Sequence, residues 1–168
     1  SGGGVYINMR NNHSVCRCRA SAVSSDGGAS FGAVRWDKDL PSPVCQATLS
    51  TAGGHLLFAN PATDGTGFPP LTDAPRSHGV IRKSVDNGQS WTRQLEITPR
   101  SPSVYGETNN GSFLYSCLVP DPLKDDSRLG GLLYSHHDAY VQCWPPAKAC
   151  DANHSRMLAL FVRFPLDF

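Results

Sequence analysis

Side chains able to do chemistry gather in a few places along the chain. Residues 136–154, HHDAYVQCWPPAKACDANH, pack three His and two Cys into one run. Imidazole and thiolate are ordinary zinc ligands, but the spacings here fit no standard pair of ligand doublets. A loop closed by a Cys143–Cys150 disulfide, or an irregular loop, is the expectation. Residues 28–32, GASFG, fit the Gly-x-Ser-x-Gly pattern of a nucleophile elbow. That elbow needs a strand before it and a helix after it, whereas a strand pattern follows here, so the match is accidental. Ser135, His136 and Asp138 are sequence neighbours, which is not how a catalytic triad is assembled. The arginines are different. Arg10 ends the run VYINMR and Arg76 leads RSHGVIRKS. A planar guanidinium stays charged and grips a carboxylate with two parallel hydrogen bonds, which lysine cannot do. A lone arginine is most simply a solvated surface residue, so placement decides which of these matter.

The elements that must position these groups read as strands. Ten short runs rich in apolar and β-branched residues recur between clusters of Gly, Pro, Asp, Asn and Ser: residues 5–10, 16–23, 32–36, 45–50, 55–60, 79–84, 91–97, 112–119, 130–135 and 156–164. No long stretch carries helical apolar spacing. With Gly 16 and Pro 13 in 168 residues, the composition is that of an all-β protein rich in turns and large enough for a real core. Lys plus Arg is 15 and Asp plus Glu is 14, a net charge of +1. That balance argues against a nucleic-acid or membrane-surface partner, both of which need a basic field. No apolar run approaches the length of a transmembrane helix. The chain opens SGGGVYINMR, with Ser rather than Met at its first position, as a processed chain or a fragment would. Cys16 and Cys18 are two apart and, if both lie on a strand, share a face and cannot easily bond to each other. Glycosylation sequons at Asn12, Asn110 and Asn153 modestly favour a secretory, lysosomal or extracellular address.

Two turns repeat one pattern. Residues 24–31 read SSDGGASF and residues 84–91 read SVDNGQSW, both fitting Ser-x-Asp-x-Gly-x-Ser-aromatic. Asp26 and Asp86 can accept hydrogen bonds from turn N–H groups, and Gly28 and Gly88 permit positive φ. Phe31 and Trp91 are expected to begin the return strand and bury the base of the hairpin. This repeat resembles the Asp-box of the sialidase (neuraminidase) superfamily and related β-propellers. The resemblance implies a six-bladed sialidase-type propeller. At about 40 residues per four-stranded blade, the 168 residues supply about four blades of its C-terminal portion, the N-terminal blades being absent.

It also implies an exo-α-sialidase, which releases terminal α-linked sialic acids from glycoproteins, glycolipids or oligosaccharides with retention at the anomeric carbon. YINMR resembles the family strand that ends in the second arginine of a carboxylate-binding triad, here Arg10. RSHGVIRKSVDNGQSW resembles the segment carrying the third, here Arg76. Tyr115 in FLYSCL resembles the family nucleophile, with Tyr105 and Tyr134 as alternatives. A phenol suits this substrate because a carboxylate nucleophile would be repelled by the sugar's own carboxylate. Gln46 in VCQATL resembles the residue whose amide contacts the sugar's polar arm. Arg17, Arg19 and Arg82 are rivals; Arg17 and Arg19 share one strand face and read as structural. The resemblance implies no metal and no cofactor.

The sequence departs from the family in two ways. The first triad arginine, the acid/base aspartate and the glutamate that activates the tyrosine are all expected upstream of Ser1, and Glu107 does not match that glutamate's position. After LLY, where the family has a glutamate that steadies the first arginine, stands Ser135, with Asp138 as a possible substitute. A non-catalytic Asp-box propeller that binds sialoglycans or proteins is the rival reading, and Ser135 favours it; a trans-sialidase would use the same residues as the hydrolase.

Overall fold

The computed structural model describes residues 3–12, 16–63, 76–98, 113–120, 129–137 and 157–168. Among them there is no helix, and ten strands form three antiparallel sheets. The first sheet joins β1 (Val5–Met9), β2 (Cys18–Ser24) and β3 (Arg35–Pro41) in that order. The second runs β4 (Thr48–Ala52), β5 (His55–Pro61), β6 (Gly79–Ser84) and β7 (Arg93–Glu96). The third places β9 (Leu129–His137) between β8 (Ser116–Pro120) and β10 (Met157–Pro165). Each strand pairs with its sequence neighbour inside a sheet, and the described strands close no barrel.

The second sheet is covered on both faces, which explains why HLLFAN and GVIRKS read as nearly continuous runs with little alternation. Leu57, Ala59 and Ile81 on one face pack with Phe113, Leu118, Leu132, Tyr134 and Phe164 of the third sheet and the segment before it. On the other face Phe58 and Trp91 pack with Leu40 at the end of β3 and with Tyr6 of β1. Polar ties cross the same gaps. Asn60, fully buried, donates to the carbonyls of Pro41 and Pro61, each at 2.7 Å. Arg35 on β3 donates to the carbonyls of Gly88 (2.5 Å) and Gln89 (3.2 Å) in the next sheet.

The two repeat turns are superimposable networks. In the first, Ser24 Oγ accepts from Gly28 N–H (2.8 Å) and donates to Asp26 (2.6 Å), and Asp26 accepts from the amide and hydroxyl of Ser30 (2.9 and 2.6 Å). Ser84, Asp86, Gly88 and Ser90 repeat these contacts at 2.8, 2.7, 2.9 and 2.6 Å. Gly28 at φ 97° and Gly88 at φ 86° take up the left-handed conformation that the tight return demands. The Ser24 and Ser30 hydroxyls hold the Asp26 carboxyl well below its usual range, and Ser90 with Ser84 pulls Asp86 down to about 2.

Four expectations need correction. Phe31 is 42 % exposed and does not bury the hairpin base, whereas Trp91 at 5 % exposed does. Both return strands start later than expected, at Arg35 and Arg93. Cys16 and Cys18 are paired as a disulfide with Cα atoms 5.2 Å apart. The shared-face argument fails because β2 begins at Cys18, and Cys16 and Arg17 lie in the bend before it; for the same reason Arg17 shares no strand face with Arg19.

Candidate functional site

Three segments meet around Tyr115: the segment before β4 with Cys45 and Gln46, the lead-in to β6 with Arg76, and β9 with Ser135. Phe113 N–H donates to the carbonyl of Arg76 (2.8 Å), bringing the two lead-in segments side by side. The Tyr115 ring is 55 % exposed, and the Arg76 guanidinium lies over it, 5.9 Å from its centroid. Its neighbours in sequence are anchored inward. Phe113 is fully buried and stacks on Tyr134 at 4.8 Å. Tyr134, one of the alternative nucleophiles, is thus a core residue, and burial pushes its phenol up.

Cys45 is buried beside this group and its thiol points at the carbonyl of Leu114 (3.9 Å). Burial pushes the thiol up, against the opposing pull of Arg76, the Gln46 backbone, Arg10 and Arg19. Arg10 is exposed just past the end of β1. Arg19 is buried beneath, donating to Asn8 Oδ1 and to the Cys45 carbonyl, each at 2.7 Å, with its guanidinium 5.6 Å from the Phe58 ring. Burial lowers Arg19 to about 10, with Arg10 adding to the lowering. Arg82 is lowered to about 10 by burial, donates to Asn60, and feels Asp39 across the first gap. Arg19 and Arg82 therefore brace sheets, while Arg10 is exposed and Arg76 is half-buried over the Tyr115 ring.

Gln46 lies in the same place, but its amide is occupied. Its Nε2 donates to the carbonyls of Ala47 (2.9 Å) and Ser116 (3.0 Å), and its Oε1 accepts from Ser116 N–H (2.9 Å). Ser135, on β9 and 20 residues further along the chain, reaches Tyr115 itself: its hydroxyl accepts from Tyr115 N–H at 3.0 Å. That contact and the buried Cys45 are site features that the sequence did not single out; Cys45 adjoins Gln46, which was the available signal. Tyr105, Glu107, Asp138 and the run 138–154 lie outside the described residues, and no cluster of metal-ligating side chains occurs among those described.

The sequence is 35 % identical to a sialidase from Micromonospora viridifaciens over 132 residues, 73 % of this chain. The chain is related to the sialidase superfamily. It spans 17 % of the length of that relative. The solved structure of a Hadza microbial sialidase matches this chain with a TM-score of 0.50 and 26 % identity, over 79 % of this chain and 23 % of that one. No family model matches. The all-β architecture and the structural match agree with part of a β-propeller. No helix among the described residues is long and apolar enough to cross a membrane.

Proposed function

We propose that this chain is the C-terminal portion of an exo-α-sialidase propeller, in which Tyr115 is the nucleophile and Arg10 and Arg76 bind the carboxylate of a terminal sialic acid. The two repeat turns serve as Asp-boxes that fix hairpins and take no part in the chemistry. The observation that carries the reading is an exposed tyrosine with an arginine over its ring, its flanking backbone anchored on both sides. Tyr115 Oη would attack the anomeric carbon and form a glycosyl-tyrosine bond as the glycosidic C–O bond breaks. Its proton would pass to a base, and the leaving oxygen would take one from an acid. Water would then cleave the glycosyl-tyrosine bond, so two inversions give retention. The acid, the base and the first carboxylate-binding arginine would come from upstream blades. A guanidinium pair offers the substrate carboxylate bidentate contacts that fix the ring for attack. The address proposed is secretory, lysosomal or extracellular.

The test uses the polypeptide that carries this chain together with its upstream blades, assayed on a fluorogenic α-linked sialoside. Turnover that falls at least about a thousandfold in Tyr115→Phe supports the reading. A folded wild type with no turnover overturns it and leaves a sialoglycan-binding module as the alternative.

A further inference from the structure

The phenol of Tyr115 has little packing of its own, so its position depends on the backbone beneath it. That backbone lies ahead of the regular ladder, which starts at the Ser116–Tyr134 pair. Beyond that pair, backbone bonds and the Ser135 side chain together hold it. Tyr115 N–H donates to Ser135 Oγ (3.0 Å), and the Tyr115 carbonyl accepts from Ser135 N–H (2.8 Å) and Ser135 Oγ–H (3.3 Å). Leu114 N–H donates to the Ser135 carbonyl (3.0 Å). On the opposite edge, the Ser116 N–H and carbonyl are both taken by the Gln46 amide. Leu118 N–H on that edge donates to Thr48 Oγ1 (3.1 Å).

Resting on the reading of Tyr115 as nucleophile, we propose that Gln46 and Ser135 are positioning residues that clamp the peptide groups on either side of Tyr115. A primary amide has two N–H donors, and both of those on Gln46 are spent on backbone carbonyls. Neither is left to donate to a sugar, which directs the Gln46 amide to the backbone that carries the tyrosine. Ser135 stands where the family resemblance places a glutamate. Its short side chain reaches the Tyr115 peptide groups directly, which gives the substitution a function of its own. The clamp matters because a small rotation at residue 115 swings a phenol at the end of a long lever, and nucleophilic attack tolerates little misplacement.

The experiment uses the same complete polypeptide, with Gln46→Leu, Ser135→Ala and Ser135→Thr. Steady-state kinetics on the fluorogenic sialoside are paired with hydrogen exchange at the Tyr115 and Ser116 amides. Gln46→Leu and Ser135→Ala should each lower kcat about tenfold with KM within about twofold. Ser116 N–H in the first variant and Tyr115 N–H in the second should exchange about fivefold or more faster. Ser135→Thr, which keeps the hydroxyl, should restore both readouts. A raised KM at unchanged kcat in Gln46→Leu would make Gln46 a substrate contact and overturn the proposal. Unchanged exchange in Gln46→Leu and Ser135→Ala overturns it too, whatever the kinetics. If the wild type turns over no sialoside, the sialidase reading fails by itself, and amide exchange alone decides the clamp.

Discussion

Replacing Gly79 by Ala adds one methyl group at a point with no room for it. A Cβ there would run into the ring of Phe113, meeting its Cγ, Cδ2 and Cε2 atoms. Neither partner can yield cheaply. Phe113 is fully buried, stacked on Tyr134 and enclosed by Leu57, Ile81, Leu118 and Leu132. Gly79 is pinned through its own backbone: its N–H donates to Thr98 Oγ1 (2.8 Å), and its carbonyl accepts from Ile97 N–H (2.7 Å) and Thr98 N–H (3.2 Å). Overpacking typically costs about 1–3 kcal/mol, and a contact this close with both sides fixed belongs at the upper end. At about 2–4 °C per kcal/mol for a chain of this size, Gly79→Ala should melt roughly 6–12 °C below the wild type. Circular dichroism melts measure this directly. The mechanism is checked with Phe113→Leu, which shrinks the obstructing ring. Phe113→Leu should destabilise the wild type, yet cost at least about 1 kcal/mol less when Ala occupies position 79. A Gly79→Ala melt within about 2 °C of the wild type, or strict additivity of the two substitutions, would refute the reasoning.

The two turn aromatics should behave oppositely although they occupy the same place in the repeat. Trp91→Ala should cost about 3–5 kcal/mol in urea unfolding, because Trp91 packs on Phe58 at 5.7 Å and Tyr6 at 6.2 Å. Phe31→Ala should cost under about 1 kcal/mol. Asn60→Leu should cost about 2–4 kcal/mol in the same assay, since it strips a donor from Pro41 and Pro61 and leaves Arg82 without its acceptor. Acid sensitivity should follow the turn aspartates. The Asp86 carboxyl lies below its unfolded value of 3.8 at about 2, so the stability it contributes is complete above pH 3.8 and is lost as pH falls towards about 2. Urea midpoints measured across that window should drop more steeply for the wild type than for Asp86→Asn.

The ten strands are legible in the sequence because apolar runs and turn clusters alternate plainly, and because sheet partners here are always sequence neighbours. What local pattern cannot show is which face another sheet covers. Phe31 and Trp91 look equivalent in sequence, but only Trp91 has Phe58 and Tyr6 waiting across a gap. Arg82 sits on a strand next to Lys83, and nothing local tells that both are buried, one on Asn60 and the other on the carbonyl of Leu166 at 2.6 Å. At the candidate site, the Arg76 guanidinium lies 5.9 Å from the centroid of the Tyr115 ring. Gln46 illustrates the limit. A polar side chain before a strand reads as free to meet a ligand, but two of its three hydrogen bonds go to Ser116, 70 residues further along the chain.

The repeat turns carry a consequence for the order of folding. The paired Ser and Asp side chains of each turn are satisfied within a separation of four residues, from Ser24 to Gly28 and from Asp26 to Ser30. Such closures involve short loops and form on the microsecond scale of hairpins. The grip of Arg35 on Gly88, by contrast, closes 53 residues at once and must wait. The turns are thus local nuclei from which β2–β3 and β6–β7 can zip independently, before any two sheets have met. Damage at Asp86 should then slow folding, while damage at Trp91, which acts only once sheets dock, should chiefly hasten unfolding.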